Sequence, residues 1–296
     1  MPPVSQTGYP VAIHRMDGCM SIHAASFDAA RTMLPSPALH PLRLPDGRAM
    51  VSFALAQKRA ATATTSTGTT PMPPYAELMV SAIVTRRPLS RAASAVVLGG
   101  SVFGIGPVRL GGVQLALPLT SSVWAEAGRS SMGLPMFVAD FELDLSGDAW
   151  RITVSEDDQT ILSLTYRPGG RLGVDRMTQA NYGVSGDRLA VARMDSVLLR
   201  RRRLQGGAAL EIGSGHPVAE RLRELDLSPI AVSSWTYLDG RAILHAPVTL
   251  AVPASPIPCH PGRDVPLGQY RVRYPGTDWM DWYAASAWEQ APLRAG

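Results

Sequence analysis

Short runs of hydrophobic, β-prone residues recur along most of the chain and are separated by clusters of Gly, Pro, Asp and Ser. The runs cover residues 50–56, 77–84, 95–98, 114–119, 150–154, 160–166, 189–199 and 242–252. This spacing is typical of an antiparallel barrel or sandwich, and it differs from the alternation of strands and helices that builds parallel sheets. The pattern therefore predicts a mostly β (α+β) fold.

Three segments predict short helices. Asp28 is placed to cap the first, which Pro35 would stop. Pro217 fits the first turn of the second, whose apolar stripe is formed by Val218, Leu222 and Leu225. Residues 121–129 form the weakest of the three patterns. The helices are thus expected to be short additions to a β core.

Two other stretches affect the predicted organisation. Residues 60–74 are small and polar and end in Pro, which indicates a mobile loop between strands. No change in composition divides the chain, so a single domain over residues 1–296 is predicted.

The C-terminal tail, residues 277–296, carries Trp279, Trp282, Tyr283 and Trp288. We expect these aromatic residues to pack on the domain or on a neighbouring subunit of a homo-oligomer.

Composition excludes several classes of partner. Of the 296 residues, 46% are hydrophobic and 18% charged, and the net charge is only +4, so no nucleic-acid partner is expected. We find no apolar run that would cross a bilayer and no secretory signal, so no membrane partner is expected. Cys19 and Cys259 lack the spacing of a zinc or redox motif. Two reduced thiols in a cytoplasmic protein are predicted, with a chance disulfide left open.

Three segments together resemble the acetoacetate decarboxylase superfamily. They are PPYAELMVSAIV (residues 73–84), AGRSSMGLPMFVADF (residues 127–141) and GSGHPVAERLRELDLSPI (residues 213–230). The resemblance runs in order from about Tyr9 to Pro275. It implies an acetoacetate-decarboxylase-like antiparallel β-barrel or cone with a few short helices.

The resemblance also implies what the chain has lost. In that superfamily, a lysine directly after the signature Pro forms a Schiff base with a β-keto acid. Met136 stands at this position, and Ser130 stands where the signature has Glu. Methionine has no amine, so imine chemistry at this position is excluded.

Two family residues remain, Glu77 and Arg129. The resemblance implies that Glu77 is the active-site glutamate, able to act as general acid or base, and that Arg129 holds a carboxylate or oxyanion. The alternative is a buried structural pair. Tyr75, Met79, Met132 and Met136 are predicted to line an adaptable apolar substrate site, although core filling explains the methionines equally well. If residues 134–144 form one strand, Asp140 and Glu142 share the face of Met136.

Other candidates are weaker. Lys58 is the only lysine among 28 basic residues, and its position beside a polar segment predicts a solvated side chain. His216 is interpreted as a residue at a helix start, and the other histidines show no metal-ligand spacing. The glycines of residues 99–107 do not form a dinucleotide fingerprint. No cofactor and no metal are therefore expected.

The resulting hypothesis is a cofactor-free enzyme that does not use a Schiff base. It would carry out acid/base chemistry, such as dehydration, isomerisation or cyclisation, on an apolar, carbonyl-bearing, polyketide-like metabolite. Two alternatives stay open, namely a β-keto acid decarboxylase that uses Lys58 and a non-catalytic protein that binds a hydrophobic metabolite.

Overall fold

The structure, a computed structural model, describes residues 8–65, 68–72, 74–94, 96, 110–204, 206–263 and 272–274. Strands dominate it, as the sequence pattern predicts. In chain order they are β1 Val11–Ala25, β2 His40–Pro41, β3 Ala49–Thr65, β4 Gly68–Met72, β5 Tyr75–Thr85, β6 Gly111–Leu119, β7 Met136–Val138, β8 Asp140–Asp144, β9 Trp150–Glu156, β10 Gln159–Tyr166, β11 Arg171–Ser185, β12 Arg188–Leu204, β13 Ala208–Ile212, β14 Ser233–Leu244, β15 Val248–Pro253 and β16 Val272–Arg273.

The strands form two sheets. In the larger one, β5, β3, β1, β14, β12, β11 and β6 pair in this order, and β6 pairs again with β5, so the ring closes. Most pairings are antiparallel, but β6 runs parallel to both β11 and β7. The second sheet has the order β13-β10-β9-β8-β16. The fold is therefore mostly β, as expected, with a mixed rather than purely antiparallel ring.

The two sheets pack through buried side chains on β1, β3 and β10. The Tyr166 hydroxyl on β10 donates a hydrogen bond to the Phe53 carbonyl at 3.1 Å and lies 3.0 Å from the Ser21 hydroxyl. Cys19 is fully buried beside them, and Cys19 and Cys259 are free thiols. Burial raises the pKa of the Tyr166 phenol well above its ordinary value, so this hydroxyl stays protonated and ties the sheets together.

Most of the predicted strands are confirmed, often as parts of longer ones. The run 242–252 is split between β14 and β15. In the run 95–98 the one described residue, Val96, is helical, so the prediction of a strand is wrong at this position. The prediction of a loop over residues 60–74 is wrong. Residues 61–65 continue β3 and pair with β4, from Ala61↔Met72 to Thr65↔Gly68. The backbone groups of residues 61–65 pair in this β-ladder, whereas their small alanine and threonine side chains give no clear hydrophobic pattern in the sequence.

The helices lie close to their predicted positions. They include α1 Phe27–Thr32, α2 Ser122–Met132 and α3 Pro217–Arg223. The cap of α1 is Ser26, with Asp28 in the first turn, so the predicted Asp28 cap is wrong. Pro217 begins α3, and the His216 side chain accepts the Val218 amide. Within the described residues, no helix is long and apolar enough to span a bilayer.

Residues 134–144 do not form one continuous strand, so that expectation is wrong. Ala139 separates β7, which pairs with β6 in the large sheet, from β8, which pairs with β9 in the second sheet. Because the chain changes sheets at this point, the alternation of side chains does not continue from Met136 to Asp140. The aromatic tail, residues 277–296, lies outside the described residues.

Candidate functional site

A buried cluster of Lys58, Glu77 and Tyr75 joins β3 to β5. The Lys58 ammonium lies 2.6 Å from Glu77 Oε1 and donates to the Tyr75 hydroxyl, also at 2.6 Å. The Lys58 side chain is 12% exposed and that of Glu77 is 3% exposed. The cluster therefore places a cation, a carboxylate and a phenol in direct contact, with only the lysine reaching solvent.

Strand register brings these three side chains together. Lys58 lies opposite Tyr75, and Ala56 lies opposite Glu77, in an unbroken antiparallel ladder between β3 and β5. Residues directly opposite each other, and those two further along, share one face of a sheet. Lys58 thus reaches Tyr75 directly and Glu77 diagonally.

Helix α2 covers the same face. The Trp124 ring stacks on the Tyr75 ring, with 4.7 Å between centroids and 31° between planes. One turn further along α2, Gly128 packs against Met136, whose Sδ would lie 2.1 Å from a Cβ at this position. A side chain at this position would have to displace the end of the Met136 side chain, so glycine permits the close packing of α2 on Met136.

Met136 lies on the same face as Glu77, but two strands away. Glu77 is opposite Leu119 on β6, and β6 pairs with β7 through Leu117↔Met136 and Leu119↔Val138. With strands spaced by about 4.8 Å, Met136 lies about 10 Å or more from Glu77 along the sheet. Lys58 lies on the opposite side of Glu77.

The Lys58–Glu77 contact has a definite electrostatic consequence. A buried carboxylate without a cation would carry a desolvation penalty of several kcal/mol. The ammonium offsets this penalty, and the Tyr75 hydroxyl supplies Lys58 with a second acceptor. The contact thus lies in a site that is largely closed to water.

Tyr237 borders the cluster from β14. Its hydroxyl donates to the Leu55 carbonyl at 2.7 Å. Burial raises the pKa of Tyr237 well above its ordinary value, and electrostatic interactions with Cys19, Glu77 and Asp17 raise it further. Tyr237 is therefore a neutral phenol whose proton is committed to the backbone.

Arg129, at the C-terminal end of α2, has other partners. Its Nε donates to the Met136 carbonyl at 2.5 Å and its terminal nitrogen donates to the Pro261 carbonyl at 3.0 Å. The Ser130 hydroxyl bonds the helix carbonyl of Glu126. The structure therefore pairs Glu77 with Lys58, and these bonds direct Arg129 towards the backbone of β7 and of residues 257–263.

Comparison with known proteins identifies the superfamily. The sequence model of the family described as acetoacetate decarboxylase (ADC) matches residues 1–239. The chain belongs to the acetoacetate decarboxylase family. No curated protein matches the chain.

Solved structures share the fold of this acetoacetate decarboxylase family member. Acetoacetate decarboxylase from Legionella pneumophila has 14% identity and a TM-score of 0.59, covering 84% of this chain and 90% of its own. The enduracididine biosynthesis enzyme MppR, complexed with pyruvate, has 14% identity and a TM-score of 0.57, covering 83% and 92%. An acetoacetate decarboxylase-like enzyme from Sphingomonas wittichii RW1 has 14% identity and a TM-score of 0.52, covering 83% and 94%.

The prediction that Lys58 is solvated is wrong. Alternation along β3 does place Gln57 and Lys58 on opposite faces, but only the pairing of Lys58 with Tyr75 shows that the lysine shares the face of Glu77. The sequence signal that could have indicated this position is that Lys58 is the only lysine of the chain, and it lies beside Glu77.

The remaining predicted residues are distributed around this face. Tyr75 is part of the cluster, while Met79 lies two residues beyond Glu77 on β5 and is partly buried. Met132 is buried at the end of α2. Asp140 and Glu142 do not join the cluster, because Asp140 pairs with Arg263 and Glu142 with Arg273. A substrate-binding role for Tyr75, Met79, Met132 and Met136 stays a prediction.

The sequence pattern does not predict one further cluster of potential metal ligands, because its members are distant in sequence. Glu156, His216 and His260 meet at a point between β9, α3 and residues 257–263. Spacing along the chain cannot reveal such a site, since the three residues are brought together only by packing. His216 therefore has a second contact besides its predicted place at the start of a helix.

Proposed function

We propose that this chain is a cofactor-free enzyme that transfers protons on an apolar, carbonyl-bearing metabolite, with Glu77 as general acid or base and Lys58 as its cationic partner. The observation that carries this proposal is the buried contact of Lys58 with Glu77 and Tyr75. The family relationship supports a small-molecule substrate.

The chemical groups of the cluster suit proton transfer. A carboxylate can remove a proton next to a carbonyl group, and negative charge then develops on the carbonyl oxygen. An ammonium and a phenol beside this oxygen stabilise that charge, most strongly where water is excluded. Dehydration, isomerisation and cyclisation of a polyketide-like compound all need a base of this kind and groups that stabilise the negative charge on the carbonyl oxygen.

This proposal moves the oxyanion role from Arg129 to Lys58. Arg129 is engaged by two backbone carbonyls, whereas Lys58 contacts the carboxylate directly. Met136 and Trp124 extend the same covered face with apolar surface. They would suit a substrate larger than acetoacetate.

The test is α-proton exchange. A panel of α- and β-keto acids and ketones is incubated in D₂O with the chain, and loss of the α-proton signal is followed by NMR. We expect acceleration by the wild-type chain and a loss of about 10²-fold or more in Glu77→Gln. Glu126→Gln, on the exposed side of α2, is the matched control and should exchange at the wild-type rate. Equal rates for Glu77→Gln and wild type would contradict the proposal.

A second candidate function is Schiff-base chemistry at Lys58. It is favoured by the placement of the single amine side chain against the family's glutamate. In this case the amine must first lose its proton, and Glu77 is in place to accept it. Attack on a keto group would then release water and form an imine.

Borohydride trapping separates the two candidates. The chain is incubated with acetoacetate or pyruvate and borohydride, and the intact mass is measured. Imine chemistry predicts a reduced adduct that peptide mapping places on Lys58 and that Lys58→Arg abolishes. Proton exchange without an adduct supports the first candidate, and an adduct at Lys58 with release of carbon dioxide supports the second.

A further inference from the structure

Three potential metal ligands converge away from the Lys58 cluster. Glu156 Oε2 at the end of β9 lies 2.9 Å from His216 Nε2 and 2.6 Å from His260 Nε2. All three atoms lie within 4.8 Å of one another. His216 precedes α3, and His260 belongs to residues 257–263, here named the C-terminal strap.

The cluster is largely buried. The side chains of Glu156 and His216 are each 4% exposed and that of His260 is 19% exposed. In the described part of the chain, the ion-pair partners of Glu156 are these two histidines, while nearby Arg263 pairs with Asp140 and Asp157. The cluster thus offers one carboxylate oxygen and two imidazole nitrogens at a site that is largely closed to water.

We propose that Glu156, His216 and His260 bind one divalent transition-metal ion, with Zn²⁺ as the best match. Two imidazoles and one carboxylate are an established zinc ligand set that leaves a coordination position open. At zinc–ligand distances of about 2.0 to 2.2 Å, tetrahedral ligand atoms are about 3.3 to 3.5 Å apart. The contacts of 2.9 Å and 2.6 Å would each lengthen by less than about 1 Å to admit the ion.

A small pocket borders one of the three ligands. His260 lines this pocket together with Phe137, Arg221 and Pro258. The His260 ring packs edge-on against Phe137 and against His216, with centroids 5.1 Å and 4.8 Å apart. These contacts fix the His260 ring while leaving it the most accessible ligand, so the ion would enter from this side.

The hydrogen bond by which His216 caps helix α3 competes with metal binding. The His216 Nδ1 accepts the Val218 amide at 3.2 Å, and this places the ring proton on Nε2, beside Glu156. Binding through Nε2 requires this proton to move to Nδ1 and removes the capping bond. Glu220 accepts the Gly215 amide at 3.0 Å and continues to hold the start of α3.

Metal binding would fix the C-terminal strap. Arg221 donates to the Pro258 carbonyl at 2.7 Å, and Arg129 donates to the Pro261 carbonyl. The Cys259 thiol lies 3.7 Å from the Met136 carbonyl. The ion would therefore couple the second sheet to the segment that contacts β7.

The experiment uses the untagged full chain. It is stripped with a chelator and titrated with Zn²⁺ and with Co²⁺, and native mass spectrometry counts the bound ions. We expect one ion per chain, and at least about 100-fold weaker binding in Glu156→Gln and His260→Gln. His216→Asn retains a cap acceptor but should lose the ion. His245→Gln, which alters an exposed His–Asp pair, is the control and should bind as wild type.

A second measurement does not depend on variants that might misfold. X-ray absorption of the wild-type chain with one equivalent of Zn²⁺ should show only nitrogen and oxygen ligands, with imidazole scattering. Wild-type chain that binds no stoichiometric ion would overturn the proposal. So would a sulfur ligand, which would point to Cys259, or binding that the Glu156 and His260 variants leave unchanged.

Discussion

Replacing Lys58 with methionine is expected to destabilise the chain by about 3 to 5 kcal/mol at neutral pH. Methionine preserves much of the apolar stem but removes the cation next to Glu77. At 2.6 Å and an effective dielectric constant of about 20, the gross attraction of the pair is about 6 kcal/mol. The measured loss should be smaller, because Lys58 keeps 12% of its side chain in contact with solvent.

A double-mutant cycle isolates this interaction. Urea unfolding is measured for wild type, Lys58→Met, Glu77→Gln and the double variant. We expect the double variant to lose less than the two single losses combined, since neither buried charge remains. Arg193→Met breaks a pair whose arginine is 57% exposed, and as the control it should cost no more than about 1 kcal/mol.

Two results would refute the reasoning about this pair. One is a cost below about 1 kcal/mol for Lys58→Met, the range of exposed ion pairs. The other is strict additivity in the cycle, which would show that Lys58 and Glu77 do not interact in the folded chain.

Three further outcomes are expected. Burial raises the pKa of the Cys19 thiol, so iodoacetamide should label Cys259 in the native chain and Cys19 only in urea, as read from intact mass; native labelling of Cys19 would contradict this. Gly128→Ala should cost about 1 to 3 kcal/mol in urea unfolding through its collision with Met136 Sδ, and less when Met136→Ala makes room; an equal cost in both backgrounds would argue against the contact. Hydrogen bonds from Thr178, then Arg193, lower the pKa of Asp195 to about 2, so its stabilisation is present above about pH 4 and lost as pH falls towards 2. Asp195→Asn should therefore lower Tm at pH 7 and leave Tm unchanged near pH 2, and an equal decrease at both pH values would contradict this.

Several features followed from the amino-acid sequence alone. Runs of apolar residues predicted β5, β6, β9 and β10 because strand formation needs a local hydrophobic pattern. Pro217 predicted the start of α3 for the same local reason. The segments around Glu77 and Arg129 carried the family resemblance.

Residues 61–65 show why a local pattern can fail. Alanine and threonine give this stretch the composition of a loop, yet β4 pairs with it and satisfies its backbone groups. The partner strand is a property of the folded chain. The same holds for Ala139, where the chain passes from one sheet to the other.

Only the tertiary structure decided which chemical groups meet. Lys58 contacts Glu77 because of the register between β3 and β5, and a slip of one residue would place the lysine on the other face. Glu156 and His260 are 104 positions apart and meet where β9 packs against the C-terminal strap. Local sequence sets the conformation of each element, whereas contacts across such separations depend on how all the elements pack, and both candidate sites are made of contacts of this second kind.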